Sequence, residues 1–559
     1  MCGIAGTLGG GRDDGRAVEA ALRALRHRGP DDGGRVDLGA FQAGYCRLAI
    51  RDAADGRPAN QPFRAAGERW TMYANGEVFA GVDAAWPPVA EPAGDLAALL
   101  DGLVASGPAA LDRLDADFTA AIWDAETQTA LLARDRFGVK PLFYAEHAGR
   151  LCFASEVKGL AALGVPLRPD AVAVREYLRF NYPIAPRTLY AGVRAVPPGS
   201  ALRWHRGRVT LERWAAPAAD PAHDGLAPLR DAVRARLASE RPLGFHLSGG
   251  VDSSLVCHLG AAPDRAGFSL VYGDAADGDL AWARAVAGEL RLDHHVLDVA
   301  PDGATGTIDE LIRVLDAPVM SPGALTPLFV ARAAREAGVT VLVAGQGADE
   351  VFLGYRRHAE VGEGMGGAAL TEIAANVDRA DLRAIGLGDA EIDAADEGFR
   401  ALCDHAPDVA PLAAFQVAYG RSFLQELLRI EDHCHMASSV ENRVPFLAPD
   451  VVALGCGLTR RRGRDALGKP LLREHLAALG SAAARRTDKQ QMALPLDVLD
   501  RWIAGALAAP DLPERLPLLD WDAVRDLAGG ADTRSRRRLA WAAANLARWA
   551  VAGDHALAA

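Results

Sequence analysis

The chain has 559 residues, of which 50% are hydrophobic and 24% are charged, and its formal net charge is -12. This length exceeds what one hydrophobic core organises, so at least two domains are expected. The acidic balance argues against nucleic-acid binding, and apolar stretches interrupted by charges predict a cytoplasmic protein without a membrane span or signal peptide. The seven cysteines are scattered without a C-x-x-C pair, which indicates neither disulfides nor structural zinc.

The second residue, Cys2, is the first candidate for chemistry. Its small side chain favours removal of Met1, which would leave a thiol and a free α-amine in one residue. The reference pKa values of these groups, about 8.5 and about 8, make proton exchange between them nearly thermoneutral. Because the α-amine can serve as the general base, an N-terminal nucleophile needs no histidine partner.

Residues 1 to about 210 are predicted to form sheets that pack together and are flanked by helices. Short apolar runs bounded by turn residues predict strands at 48–50, 70–74, 118–123 and 151–154. Helices are predicted near 17–27, 95–106 and 170–180. A Pro- and Ala-rich segment then predicts a linker at 211–225.

The pattern changes after this linker. Strand-like runs at 243–247 and 339–343 alternate with long helices rich in Ala, Leu and Arg, which predicts a parallel sheet. From about residue 360 the chain is predicted to be mostly helical.

A glycine-rich loop, LSGGVDSS at 247–254, follows the first of these strands and opens a helix. Its two glycines allow backbone N–H groups to surround an anion, and the helix N-terminus adds a favourable dipole. Asp252 would repel a phosphate, and a Mg²⁺ ion between the two groups would resolve this conflict. The alternative is a Ser/Gly turn that only caps the helix. The string is not a Walker loop, because it lacks Gly-Lys-Ser/Thr.

Two further elements belong to this candidate phosphate site. Asp349 follows the second predicted strand, and carboxyl ends of parallel strands converge on one crevice, so Asp252 and Asp349 could share a metal ion. Lys469 is a candidate cation for the phosphates or a developing oxyanion, although a solvated helix face explains it equally well.

Together these motifs resemble the glutamine-dependent asparagine synthetase family of the class B type, from Cys2 to about Leu496. The resemblance implies a class II glutamine amidotransferase domain at 1–210, with the α+β αββα sandwich of N-terminal nucleophile hydrolases. It also implies an ATP pyrophosphatase-type synthetase domain at 226–559. That domain would be an α/β parallel-sheet domain of the adenine nucleotide α-hydrolase type, with a helical C-terminal region.

The opening Met-Cys-Gly-Ile and a later Asn-Gly-Glu carry the match in the first half. The resemblance implies that Cys2 is the nucleophile and that the Asn75 amide and Gly76 N–H form an oxyanion hole. Arg47 would pair with the α-carboxylate of glutamine, and Asp95 would hold its α-ammonium group. The implied glutamine-binding residues are Arg47, Ile50, Asn75, Glu77 and Asp95.

The SGGVDSS string carries the match in the second half. The resemblance implies ATP and Mg²⁺ as cofactors, with Asp252 and Asp349 as the metal ligands and Lys469 as a catalytic cation. The implied ATP-binding residues are Leu247, Ser248, Gly249, Gly250, Asp252, Ser253, Ser254, Leu270, Ala344 and Gly345.

The chain also departs from the family pattern near the second site. Members that amidate aspartate usually carry a Glu where this chain has Gln346. A carboxylate there can accept a proton from ammonia, whereas an amide cannot. Ala448 departs as well, because the family's Val-Pro-Phe-Leu run continues with Asp. Either Glu431 or Asp432 supplies the base, or the pocket takes an acid other than aspartate, and the second reading is favoured.

The expected activity is an ATP- and glutamine-dependent amidotransferase. Cys2 would release ammonia from glutamine, and the ammonia would pass internally to a carboxylate that the second domain has adenylated. One alternative is an ATP-dependent amide ligase or cyclase that uses an internal amine, against which the complete glutamine site argues. The other is a non-catalytic regulatory binding protein, against which Cys2 and the glycine loop argue. The expected partners are small-molecule substrates and a second copy of the chain in a homodimer, not nucleic acid or membrane.

Overall fold

The structure is a computed structural model, and it describes residues 2–11, 14–51, 61–81, 96–215, 225–273, 278–404, 409–486 and 494–553. Two antiparallel sheets and one parallel sheet organise the described residues. Among the described helices, none combines the length and the apolar character that crossing a membrane requires.

The first antiparallel sheet contains six strands in the order β10-β8-β9-β1-β3-β2. Its strands are β1 Cys2–Leu8, β2 Asp32–Asp37, β3 Phe41–Arg47, β8 Phe143–His147, β9 Arg150–Ala154 and β10 Val193–Ala195. The second sheet has the order β12-β11-β7-β6-β5-β4. Its strands are β4 Phe63–Ala65, β5 Trp70–Ala80, β6 Asp115–Asp124, β7 Thr129–Arg134, β11 Ser200–His205 and β12 Arg208–Arg213.

These two sheets pack face to face, and helices cover their outer faces. The layer between them contains buried aromatic residues from both sheets, including Phe41 and Trp123, whose rings stack at 5.7 Å. The helices of this part are α1 Asp14–Ala24, α2 Ala97–Ser106, α3 Val157–Ala162 and α4 Ala171–Phe180. Helices α1 and α3 lie on the first sheet and α2 on the second. This is the predicted αββα sandwich, and layers on both sides explain why β1 and β3 are buried along their whole length.

The parallel sheet has the order β15-β14-β13-β16-β17. Its strands are β13 Leu243–His246, β14 Ala266–Val271, β15 Asp293–Asp298, β16 Val341–Val343 and β17 Glu441–Arg443. The helices that accompany it are α5 Ala227–Arg236, α6 Val251–Gly260, α7 Asp279–Leu290, α8 Pro301–Gly306, α9 Ile308–Leu315, α10 Leu325–Glu336 and α11 Ala348–Val351. Because β13 and β16 are neighbours, the loops after them meet at one edge of the sheet.

The remainder of the chain is helical apart from β17, as predicted. Its helices are α12 Gly367–Ala374, α13 Arg379–Ala384, α14 Asp389–Asp404, α15 Pro411–Arg421, α16 Phe423–Ala437, α17 Pro449–Arg462, α18 Pro470–Ala478, α19 Leu496–Leu507, α20 Leu512–Arg515, α21 Trp521–Gly529 and α22 Arg534–Ala552. Helix α16 lies against α10 and β17, and α22 packs on α19 and α21.

Two elements differ from the sequence-based prediction. Residues 48–50 are not a strand, because β3 ends at Arg47. The apolar character of this run comes instead from burial of Leu48 and Ile50 against Val341 and Met436 of the synthetase part. Residues 211–213 belong to strand β12, so the segment predicted as a linker begins inside the second sheet.

Buried ion pairs join the two parts of the chain. Arg28, which is fully buried, donates to Asp432 at 2.7 and 3.1 Å and to Glu156 at 2.8 Å. Arg443 donates to Glu77 at 2.5 Å and to Glu441 at 2.7 Å. Removing one partner of such a pair leaves an uncompensated buried charge, so these contacts fix how the amidotransferase and synthetase parts meet.

Candidate active sites

The first candidate site is built on three strands of the sandwich. Cys2 begins β1 and is paired in register with Arg47 at the end of β3, while Asn75 lies in the middle of β5. The nitrogen of Cys2 donates to Asn75 Oδ1 at 2.8 Å. Burial raises the pKa of the Cys2 thiol, and the carboxylate of Glu441 adds to this, while the charge of Arg47 opposes it.

Asn75 has a donor available for an oxyanion. Its Oδ1 is occupied by Cys2, and its Nδ2 is buried and has no hydrogen-bond partner among the described residues. Gly76 follows with φ at 145°, and a Cβ there would lie 1.9 Å from the carbonyl oxygen of Asp117. Only glycine fits this backbone, so the Asn-Gly pair brings a free amide donor beside the thiol.

Of the four predicted glutamine ligands other than Asn75, the structure describes three. Arg47 is buried and donates to the carbonyl oxygen of Arg51 at 3.2 Å. Ile50 lies in the apolar cluster between the two parts of the chain. The Glu77 carboxylate accepts from Arg443. Asp95 lies outside the described residues.

Gln61 is a residue of this site that the sequence reasoning missed. Its Nε2 donates to Cys2 Sγ at 3.7 Å and to the carbonyl oxygen of Ala74 at 2.7 Å, and its Oε1 accepts from the Ala74 nitrogen at 2.7 Å. Gln61 therefore joins β5 to the thiol. No local pattern in the sequence marks it, because its role comes from a contact across 59 positions of the chain.

The second candidate site is a cleft of about 310 Å³ at the carboxyl edge of the parallel sheet. The predicted residues that line it are Ser248, Gly250, Asp252, Ser253, Ala344, Gly345, Asp349 and Lys469. Leu247, Gly249, Ser254 and Leu270 were predicted with them and lie behind the lining. The cleft also contains residues that were not assigned to ATP binding from the sequence, namely His246, Asp279, Gly354, Gly468, Arg473 and Arg486.

Three charged side chains from distant parts of the chain meet in this cleft. Lys469 Nζ lies 2.6 Å from Asp252 Oδ2 and 2.6 Å from Asp349 Oδ1. Burial alone would lower the pKa of Lys469, but the two carboxylates outweigh it and raise the pKa above its usual value. The lysine therefore carries its charge between the two acids for which the sequence predicted a shared metal ion.

The same two carboxylates fit a magnesium ion. Both side chains provide hard oxygen donors, which are the ligands that Mg²⁺ prefers. Both also lie 2.6 Å from the same cation, the Nζ of Lys469. Within the described ranges, no group of three or more His, Cys, Asp or Glu side chains could hold a metal. Phosphate and water would therefore complete the coordination, as is common for this ion.

The glycines of this site allow the loops to approach closely. A Cβ on Gly345 would lie 2.9 Å from the Cβ of Asp252 and from the nitrogen of Ser253, so β16 and the glycine loop touch only because the residue is glycine. Gly249 has φ at 69°, and a Cβ there would meet the nitrogen of Ala283 at 2.5 Å. The hydroxyls of Ser248 and Ser253 lie 3.0 Å apart beside this loop.

The two candidate bases are separated by the structure. Glu431 lines the cleft with Gln346, and its Oε2 accepts from Asn442 Nδ2 at 3.2 Å. Burial raises the pKa of Glu431 to about 7. Asp432 instead holds Arg28 at the junction between the two parts of the chain. Of the two, Glu431 is the residue that faces the cleft.

Comparisons with known proteins agree with this architecture. The family model described as "Asparagine synthase" matches residues 226–551, and the model described as "Glutamine amidotransferase domain" matches residues 1–215. A Mycobacterium tuberculosis (strain H37Rv) protein, provisionally named a glutamine-hydrolyzing asparagine synthetase, is 30% identical over 84% of this chain and 85% of its own length.

Other relatives match over shorter stretches. "Asparagine synthetase [glutamine-hydrolyzing] 1" of Bacillus subtilis is 28% identical over 64% of this chain and 60% of its own. "Amidase chyE" of Penicillium rubens is 27% identical over 60% of this chain and 55% of its own. A solved glutamine phosphoribosylpyrophosphate amidotransferase from B. subtilis aligns with a TM-score of 0.30 and 14% identity, over 62% of this chain and 82% of its own.

A sandwich that begins with a buried cysteine, joined to a parallel sheet with a glycine loop, defines the class of glutamine-dependent amidotransferase ligases. The family model for the synthetase part covers more than half of the chain, and the mycobacterial relative matches most of it. The chain belongs to the asparagine synthase family.

Proposed function

We propose that this enzyme hydrolyses glutamine at Cys2 and uses the ammonia to amidate an adenylated carboxylic acid other than aspartate. One observation carries the proposal, namely that neighbouring residues of the three-residue strand β17 act on both sites. The Glu441 carboxylate contributes to the raised pKa of the Cys2 thiol, and the Asn442 amide donates to Glu431 in the cleft. We infer that ammonia passes internally between two sites that border one strand.

The first reaction uses groups that surround Cys2. Once Met1 has been removed, the α-amine of Cys2 takes the thiol proton, and the thiolate attacks the side-chain amide carbon of glutamine. Asn75 Nδ2 and the Gly76 N–H would stabilise the oxyanion, and the buried, unpartnered Nδ2 supports that role. The ammonium proton then returns to the leaving nitrogen, which departs as ammonia. Water hydrolyses the remaining thioester and releases glutamate.

The second reaction uses the cleft of the parallel sheet. The acceptor carboxylate attacks the α-phosphorus of ATP, and pyrophosphate leaves into the glycine loop at Ser248–Ser253. Mg²⁺, held by Asp252 and Asp349, would supply charge neutralisation for the phosphates. Lys469 donates to the oxygens on which charge develops. Ammonia then attacks the acyl carbon and AMP leaves, which gives the amide.

A base must take a proton from the nitrogen once ammonia has attacked. Gln346 cannot do this, because an amide has no basic site of suitable strength. Glu431 lines the cleft together with Gln346, and a pKa of about 7 suits a base at cell pH. Its hydrogen bond from Asn442 supports a fixed orientation toward the acyl carbon.

The route for ammonia in this proposal lies along the junction of the two parts. Leu48 and Ile50 pack there on Val341 and Met436, and apolar walls favour neutral ammonia over ammonium. The proposed domains are a glutaminase domain that extends beyond residue 210 through β12, a linker that follows this strand to residue 225, and a synthetase domain at 226–559. A cytoplasmic homodimer that binds no nucleic acid completes the proposal.

The acceptor can be identified with a panel of carboxylic acids. Each acid is incubated with amide-¹⁵N glutamine, ATP and Mg²⁺, and the products are read by mass spectrometry. We expect a ¹⁵N-labelled amide, AMP and pyrophosphate from an acid other than aspartate, and an aspartate turnover below ~1 s⁻¹. Faster asparagine formation would refute the acceptor assignment. An amide without ¹⁵N would instead favour the internal-amine cyclase, and ADP would refute adenylation.

A further inference from the structure

The buried guanidinium groups of this chain generally contact carboxylates. Arg28 contacts Glu156 and Asp432, and Arg236 contacts Asp115 at 2.8 and 2.9 Å. Arg179 likewise contacts Asp396. Arg443 contacts both Glu77 and Glu441. This is expected, because a positive charge removed from water is costly unless an opposite charge lies beside it.

Arg357 and Arg538 are only half-buried, and the hydrogen bonds that their guanidinium groups form go to neutral oxygens. Arg357 Nη2 and Arg538 Nη1 both donate to Asn376 Oδ1, at 3.1 and 2.8 Å, and Arg357 Nη1 donates to the carbonyl oxygen of Ala374 at 2.6 Å. Two guanidinium groups therefore share one neutral oxygen and are close neighbours. Among the residues that the structure describes, neither of them forms an ion pair with a carboxylate.

Other positive groups surround this pair. Arg534 lies one turn before Arg538 at the start of α22, a helix of 19 residues whose N-terminus adds a positive dipole end. Burial lowers the pKa of Arg538 to about 10, and the charges of Arg534 and Arg357 act in the same direction. The guanidinium of Arg357 also lies over the ring of Tyr419, with 5.4 Å from Cζ to the ring centroid.

We propose that Arg357 and Arg538 bind an oxyanion, a phosphate or carboxylate group, which supplies a negative charge that the described residues do not place beside them. Guanidinium groups offer paired donors in a fixed plane, which matches the oxygens of either group. The site lies where the end of α12 meets the start of α22, outside the cleft of the parallel sheet. It does not depend on the reaction proposed above.

The test measures the melting temperature of the full-length protein in chloride buffer of constant ionic strength, with increasing inorganic phosphate or succinate. A ligand that binds only the folded state raises the melting temperature with its concentration. We expect Arg538→Gln and Arg357→Gln to lose most of this rise. The matched control is Arg536→Gln on the same helix, because Arg536 already contacts Asp381 and Asp532, and it should respond as the parent does.

The two anions distinguish the sources. A response to phosphate alone identifies a phosphoryl ligand, a response to succinate alone identifies a carboxylate, and both outcomes support the site. The glycine loop can also bind phosphate, so only the part of the rise lost in the Arg538 and Arg357 variants is counted. A rise that is equal in all four proteins, or absent from the parent with both anions, would overturn the proposal.

The melting temperature measured without the anion distinguishes a purely structural role of Arg538 from anion binding. Removing one of two like charges should leave the melting temperature of Arg538→Gln in chloride unchanged or raised. A drop of several degrees together with an intact response to phosphate and succinate would mean that Arg538 only supports the fold. If Arg538→Gln does not fold, Arg538→Lys decides: it keeps the charge but loses the paired donors, so its response to the anions should weaken, and a full response overturns the site.

Discussion

The glutaminase site and the synthetase site of this enzyme are held together by different structures. Cys2, Arg47 and Asn75 lie on hydrogen-bonded strands of the sandwich, so main-chain pairing fixes their positions. Asp252 and Lys469 lie at or next to helix starts, and contact between side chains from distant segments brings them together. Lys469 even adopts a left-handed backbone, with φ at 64°.

The two sites also differ in the charges of their side chains. Burial raises the pKa of the Cys2 thiol, which favours the neutral form of this group. In the second site, the ammonium group of Lys469 lies between the two carboxylates of Asp252 and Asp349. This comparison teaches that nucleophilic catalysis depends on an accurately placed side chain, whereas phosphate chemistry depends on charged groups around the phosphates. The two domains of this enzyme differ in the same way.

Replacing the nucleophile tests the independence of the two sites most directly. Cys2→Ala should lower glutamine hydrolysis by about 10⁴-fold or more, the scale of losing a catalytic nucleophile. Amide formation from added ammonium chloride should continue at the parent rate, because the cleft is unaltered. Glutamate release and amide formation are measured separately. Glutamine hydrolysis at the parent rate would show that Cys2 is not the nucleophile.

Removing a charge from the second site is the converse experiment. Asp252→Asn or Asp349→Asn should lower AMP formation by about 10²–10³-fold, because one electrostatic stabiliser of the phosphates is lost. Glutamine hydrolysis should remain within a few-fold of the parent. Asp450→Asn, an exposed carboxylate on α17, is the control and should keep both activities. Full AMP formation in both variants would contradict the assignment.

The base is tested by comparing two adjacent acids. Glu431→Gln should lower amide formation by about 10²-fold with the best acceptor of the panel. In the parent, the rate should fall as pH drops through about 7, because Glu431 must be ionised to accept a proton. The variant should lose this dependence. Asp432→Asn should instead lower stability by about 3–5 kcal/mol, because it leaves Arg28 buried without that partner. Matching pH profiles for parent and Glu431→Gln would exclude Glu431 as the base.

The smallest effect is expected from the glutamine clamp. Arg47→Gln should weaken glutamine binding by about 1.5–3 kcal/mol, seen as a higher KM for glutamine with little change in ammonium-dependent activity. The strand positions of Cys2 and Asn75 do not depend on this side chain. Arg203→Gln, an exposed arginine on β11, serves as the control and should leave KM unchanged. A variant that loses activity with both nitrogen sources equally would indicate a folding defect.

Much of the architecture and both site locations could be predicted from the sequence. Strand and helix periodicity indicated packed sheets flanked by helices, followed by a parallel sheet, because burial on one or two faces leaves a repeating pattern of apolar residues. The αββα arrangement followed from the family resemblance. The glycine loop and the Asn-Gly pair were visible because close backbone approach demands glycine at fixed spacing, as Gly345 and Gly76 illustrate. Such signals are local, and a sequence records local requirements directly.

Only the tertiary structure decided which side chains meet across long stretches of chain. In the folded chain, Glu77 contacts Arg443 and Gln61 contacts the thiol of Cys2. Leu48 and Ile50 are buried between the two parts of the chain and do not form a strand. The tertiary structure also separated Glu431, in the cleft, from the adjacent Asp432, which holds Arg28. Neighbouring residues on a helix point in different directions, so what each one contacts depends on the elements packed around that helix, which the order of residues does not state.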